Sequence, residues 1–189
     1  MKVTFMLDRR QILAVVPATL ALAAAPALAQ SPDANTIYLD TKYGRVVIEL
    51  RPDLAPKHVA QIKALTKKGF YNGVKFHRVI AGFMAQTGDP TGTGTGKSDL
   101  PDLPAEFTDI PFKRGTVGMA RSQDVNSANS QFFICLGDAD FLDGKYTVFG
   151  EVVSGMDAVD KIKKGSEADN GQVVNPDKIV KMQLAADAK

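Results

Sequence analysis

Tryptophan is absent from this chain, cysteine occurs once, as Cys135, and histidine twice, as His58 and His77. A single thiol cannot close an internal disulfide, so stability has to come from packing. Cys135 lies within Phe132-Phe133-Ile134-Cys135-Leu136, an apolar run in which a thiol is expected to be buried and inert. No cluster of metal-ligand type is visible, and no metal or cofactor is expected. An excess of charge of one sign is missing as well. The chain has 23 basic and 21 acidic residues, and setting aside Lys2, Asp8, Arg9 and Arg10 leaves 20 of each. A neutral remainder offers no electrostatic handle for nucleic acid or an anionic membrane surface.

Two common catalytic motifs are also missing. Gly92-Thr93-Gly94-Thr95-Gly96-Lys97-Ser98 resembles a phosphate loop, but that motif needs a glycine five residues before Gly96, where Thr91 stands. The stretch from Gly88 to Gly96 is therefore expected to be a flexible surface loop. No Gly-x-Ser-x-Gly elbow supports a hydrolase built on Ser130 or Cys135 with His77.

The first 29 residues read as a targeting segment. Lys2, Arg9 and Arg10 precede an apolar run from Ile12 to Leu28, and Ala27-Leu28-Ala29 supplies a small-residue cleavage site. Asp8-Arg9-Arg10-Gln11-Ile12-Leu13 resembles the twin-arginine export signal. About 20 apolar residues are needed to span a bilayer, and this Ala-rich run interrupted by Pro17 and Pro26 is a poor candidate for a permanent anchor. Export to the periplasm, with no membrane association after cleavage, is the expectation.

Residues 30–189 suit one domain, and the chain's apolar content of 44% is enough for a real core. Thr36 to Asp40 and Arg45 to Leu50 are strand-like runs around a turn signal that ends in Gly44. Pro56, the repeat Val59, Ile62, Leu65 and the terminator Gly69 predict a helix with His58 on its polar side. Two strands follow within Phe76 to Gln86, then strands over Thr116 to Arg121, Gln131 to Leu136, Val148 to Val153 and Lys178 to Leu184. A short helix marked by Met156, Val159 and Ile162 should end near Gly165. Eight strands and two helices allow a sandwich or a barrel.

One position is out of place in this pattern. Alternation puts Arg78 on one strand face with Phe76 and Ile80, and Met84 with Gln86 on one face of the next strand. A fixed cation among Phe, Ile and Met reads as the wall of a site. In the later strand, Phe132, Ile134 and Leu136 facing the core would force Gln131 and Phe133 outward together. An aromatic ring beside an amide on an outer face fits a small apolar pocket with a hydrogen-bonding edge, or equally a ring covered by a loop.

The blocks Gly69-Phe70-Tyr71-Asn72-Gly73, Phe76 to Gln86, Gly115-Thr116-Val117-Gly118-Met119-Ala120, Ser130 to Ile134, Leu142-Asp143-Gly144-Lys145 and Val148-Phe149-Gly150 stand in the order found in one family. With them the chain resembles the cyclophilins, the peptidyl-prolyl cis-trans isomerases or rotamases. The resemblance implies a closed eight-stranded antiparallel β-barrel capped by two helices, with the site on its outer surface. It implies a catalytic Arg78, a proline pocket of Phe83, Met84, Phe133 and Leu142, and peptide contacts at Gln86, Gly94, Ala120, Arg121 and Gln131. His77 would be a hydrogen-bonded structural residue. Phe141 and Tyr146, also expected to contact the substrate, stand where many members have Trp and His, which leaves room for only weak cyclosporin binding. The implied partner is a proline-containing polypeptide, met by a monomer acting as a folding catalyst or chaperone for exported proteins. A proline-peptide binding module with little turnover is the alternative.

Overall fold

The computed structural model describes residues 32–188, so the predicted export segment lies outside the described residues. Eight strands form one antiparallel sheet: β1 (Thr36–Thr41), β2 (Gly44–Leu50), β3 (Arg78–Ile80), β4 (Met84–Thr87), β5 (Thr116–Met119), β6 (Phe132–Cys135), β7 (Val148–Ser154) and β8 (Lys181–Leu184). Their spatial order is β3-β4-β6-β5-β7-β2-β1-β8. Two α-helices, α1 (Pro56–Lys67) and α2 (Met156–Asp160), pack against it. Pro56 occupies the first turn of α1, and Gly69, at φ +69°, lets the chain leave it.

The sheet is a curled half-barrel. The expected closure by strand pairing is not made, because β3 and β8 are the two ends of the ladder and do not pair with each other. The seam is crossed instead by irregular chain. Ile179 bonds back to Gly73 and Val74, Lys75 bridges Lys178, and Val180 N–H then reaches Asp40 O on β1. That crossing is why β8 starts at Lys181 rather than at Lys178. The second helix is likewise shorter than predicted, although Ile162 beyond it is still buried in the core.

Alternation divides the apolar residues into two clusters. Inside the curl, Ile37, Leu39, Ile48, Ala85, Val117, Phe132, Ile134 and Phe149 pack with Val59, Ile62 and Leu65 of α1 and Val159 of α2. Phe132 is the centre, edge-on to both Tyr71 and Phe149; truncating a buried Phe of this kind costs about 3–5 kcal/mol. On the opposite face, Met84, Phe112, Phe133, Cys135, Leu142 and Val148 make a second cluster. Phe76 departs from the expected pattern: β3 begins only at Arg78, and Phe76 turns into the inner core instead of sharing a face with Arg78.

Candidate active site

The second cluster is the floor of the site. Registers Ile80↔Met84, Met84↔Cys135 and Gln86↔Phe133 place Met84 and Phe133 on the same outer face of adjacent strands. Gly118 lies opposite Phe133 on β5, and a Cβ there would sit 2.6 Å from both Phe112 Cε1 and Phe133 Cζ. Only glycine lets the Phe133 ring lie across β5 and stack on Phe112, 5.7 Å away at 26°. Above this floor is a pocket of about 100 Å³ lined by Arg78, Phe83, Met84, Gln86, Ala120, Arg121, Phe133, Leu142 and Tyr146. Leu142 comes from a short 3-10 turn, and Tyr146 stands edge-on to Phe133 at 6.0 Å.

Arg78 forms one wall and is held from two sides. Its Nη1 donates to Gln86 Oε1 at 3.2 Å, while Nε and Nη2 donate to the backbone O and Oδ1 of Asn170, each at 2.9 Å. Nη1 also reaches Met84 Sδ at 4.0 Å, a long and weak contact, so of five N–H donors only one on Nη2 is left without a partner for a ligand. Burial pulls the Arg78 pKa below its ordinary value, with Tyr146 opposing the shift, but a guanidinium stays protonated throughout the useful pH range. Because Gln86 Oε1 accepts from Arg78, its Nε2 donates to Gln131 Oε1 at 2.9 Å. Gln131 Nε2 in turn donates to the carbonyls of Gly94 and Gly96 at 3.0 and 2.8 Å. The cation thus sets the direction of an amide chain running from β3 to the glycine loop.

That loop is held rather than free, which corrects the expectation of a flexible segment. The carboxylate of buried Asp89 accepts from the N–H groups of Thr91, Thr93, Gly94 and Gly96 and from the Thr91 hydroxyl. Burial alone would push this carboxyl up; the Thr91 hydroxyl and the loop N–H groups outweigh it and hold Asp89 well below the usual carboxylate range. The loop borders a second, larger hollow of about 430 Å³ that shares Gln86, Ala120 and Arg121 with the first and adds Gly94, Lys97, Asp102, Asn129 and Gln131. Arg121 folds over the Tyr146 ring at 4.4 Å and donates to the carbonyls of Lys145 and Ser122. Phe141 lies beside the pocket and does not line it. It is 61% exposed and leans on Phe83 at 5.1 Å.

All the other predicted site residues therefore border one continuous groove. Three features escaped the sequence. Asn170, 92 residues from Arg78, belongs to no motif. His58 is fully buried, not on a polar surface, because Glu106, in the irregular chain between β4 and β5, caps the start of α1 and bonds both the His58 ring and its N–H. Burial lowers the His58 pKa, opposed by Glu106. His77 is buried against the glycine loop, where the Lys75 backbone is the polar group its ring leans on and neither ring nitrogen makes a well-formed hydrogen bond. Cys135 lies beside Met84 as its cross-strand partner, with its thiol pushed up to about 12, chiefly by burial.

Comparison with known proteins places this geometry. Residues 36–184 match the family model described as cyclophilin type peptidyl-prolyl cis-trans isomerase/CLD. A probable peptidyl-prolyl cis-trans isomerase of Brucella suis is 59% identical over 192 residues, covering 96% of this chain and 98% of that protein. A peptidyl-prolyl cis-trans isomerase of Helicobacter pylori is 44% identical over 138 residues, 70% of this chain and 83% of its own length. Among solved structures, a cyclophilin from Hirschia baltica superposes with a TM-score of 0.75 at 30% identity, covering 83% of this chain and 76% of that one. A Cryptosporidium parvum cyclophilin-type isomerase, solved in the presence of the dipeptide Ala-Pro, gives 0.72 at 28% identity over 79% of this chain and 98% of its own.

Proposed function

Since the chain belongs to the cyclophilin-type peptidyl-prolyl cis-trans isomerases, we propose that Arg78 carries its rotamase activity and that the Met84–Phe133 pocket seats the proline ring. Rotation about a peptide bond faces a barrier of about 18–20 kcal/mol, because resonance ties the nitrogen lone pair to the carbonyl. For X-Pro bonds the isomers differ by only about 0.5–1 kcal/mol, yet exchange takes tens to hundreds of seconds. The obstacle is kinetic. In the twisted transition state the prolyl nitrogen regains its lone pair, and a donor aimed at it favours that state over either planar form. Arginine fits because it stays charged and donates in a fixed planar geometry, and it cannot act as a general base. No bond is broken, so the reaction calls for no nucleophile and no cofactor.

The observation that carries this reading is a guanidinium at the wall of an apolar pocket with one N–H uncommitted and another engaged only by the Met84 sulfur at 4.0 Å. Partial removal from water strengthens its pull on a developing lone pair. Phe83, Met84, Phe133 and Leu142 hold the ring, and Gln86, Gly94, Ala120, Arg121 and Gln131 hold the flanking peptide. The Ala-Pro dipeptide used with the Cryptosporidium parvum relative supports a proline-containing ligand here. Acceleration of cis-trans exchange in a short X-Pro peptide by the purified protein tests the reading. Exchange no faster than in buffer would sink it.

The wider setting is also proposed. The protein acts as a monomer on unfolded or exposed segments of exported polypeptides, after release from a twin-arginine type signal, in the periplasm. N-terminal sequencing of protein recovered from that compartment should begin at Gln30, and a chain still beginning at Met1 would count against export with cleavage. Phe141 stands exposed outside the pocket and Tyr146 lies under Arg121, so cyclosporin binding should be weak and should tighten on Phe141→Trp.

A further inference from the structure

We infer that Asn170 is a positioning residue for the isomerisation: it supplies a neutral two-oxygen fork that fixes the Arg78 guanidinium without neutralising it. The inference rests on Arg78 being the catalytic group. Two acceptors from one residue, its backbone O and its Oδ1, take the Nε and Nη2 donors on one edge of the guanidinium, both at 2.9 Å. A carboxylate would offer the same pair of oxygens. It would also place a formal negative charge against the cation, and a neutralised guanidinium attracts the prolyl lone pair less. Amide and peptide oxygens give the geometry without the countercharge. No carboxylate is paired with Arg78 among the described residues, and its third bond, to Gln86 Oε1, is again to an amide.

The surrounding chain is built to deliver this fork. Beyond α2, the segment 165–173 runs along the free edge of β3. Gly165 N–H bonds Val79 O, Val79 N–H bonds Gly171 O, Val173 N–H bonds His77 O, and Gln172 bridges Arg78. Covering this edge also removes a row of unpaired backbone groups. Asn170 is one of two non-glycine residues with positive φ, at +52°, among the described residues, and Gly171 follows at +79°. Asparagine tolerates that region better than most side chains. At Gly171 a Cβ would fall 2.3 Å from Ile80 Cγ1, and at Gly165 one would fall 2.1 Å from Gly171 O. The tight approach, and with it the left-handed pair, turns the Asn170 oxygens back onto Arg78.

Two variants and one control test this. Asn170→Gly accepts φ +52° without strain and keeps the backbone oxygen but loses Oδ1. It should lower kcat about three- to tenfold, the equivalent of one net hydrogen bond, with KM and the denaturation midpoint unchanged. Rotation of the Arg78 guanidinium about Cζ–Nε, followed by arginine-selective NMR, should speed up. Asn170→Asp keeps both oxygens and should retain slow rotation and full stability, yet lose kcat. Wild-type kcat in Asn170→Gly, or a loss lying wholly in KM or in stability, would overturn the positioning role. Wild-type kcat in Asn170→Asp would overturn the need for a neutral fork. Arg78→Ala, run alongside, separates the failures: if it too retains full activity, the catalytic role of Arg78 falls, whereas an impaired Arg78→Ala beside an unimpaired Asn170→Gly condemns Asn170 alone.

Discussion

Replacing Arg78 with Lys keeps the charge and removes the fork, and so separates two properties that alanine would delete together. In the folded protein Arg78 makes three hydrogen bonds to Asn170 and Gln86 and a weak fourth to Met84 Sδ, and retains one uncommitted N–H at the pocket wall. A lysine ammonium has three donors on one atom at the end of a flexible stem, so it can stay anchored or point at the prolyl nitrogen, not both. A charge-assisted hydrogen bond contributes about 1.5–3 kcal/mol, which at about 1.4 kcal/mol per decade is roughly ten- to a hundred-and-fifty-fold in rate. Arg78→Ala should lose that much in kcat/KM, and Arg78→Lys should recover less than about tenfold of it. The assay is cis-trans exchange of an X-Pro peptide by magnetisation-transfer NMR, which also gives peptide affinity separately. Near-wild-type turnover by Arg78→Lys would refute the reasoning, because it would mean that charge at this position suffices and the anchored plane does not matter. A loss confined to affinity would make Arg78 a binding residue instead.

Asp89→Asn should leave some of the loop's N–H groups unsatisfied, lower stability by about 1–3 kcal/mol and raise KM through the Gly94 and Gly96 carbonyls that Gln131 holds; unchanged KM with lowered stability would confine Asp89 to a structural role. The Cys135 thiol, pushed up to about 12, should resist maleimide at pH 8 in the native state and react once denatured; rapid native labelling would contradict its burial. His58 and His77 both have pKa values lowered chiefly by burial. A group depressed in the folded state contributes stability that is full above the unfolded value, about 6.5 for His, and is lost as pH falls toward the folded value. Denaturation midpoints should therefore hold above neutrality and decline below about pH 6.5. His77→Phe should reduce that decline with little loss at pH 7.5, since at most a poorly formed hydrogen bond to the Lys75 backbone is removed; an undiminished decline would exclude His77 as a source.

Local alternation settled much of this protein in advance. A period of two along Gln131 to Leu136 is enough to sort Phe132 and Ile134 from Phe133 and Cys135, since successive side chains on a strand must point to opposite faces. The same rule set Met84 with Gln86 and singled out Arg78 as a cation in apolar company. The Pro56 start and Gly69 end of α1 were likewise readable, because φ restrictions act on single residues. The tertiary structure decided what depends on chain segments far apart in sequence. It brought Asn170 to Arg78 across 92 residues, buried His58 under Glu106 across 48, and turned Phe76 inward by starting β3 two residues later. It also left the sheet an open curl whose seam is crossed by irregular chain. Local sterics tell where a side chain can point, whereas partners supplied by another part of the chain decide what that side chain can do.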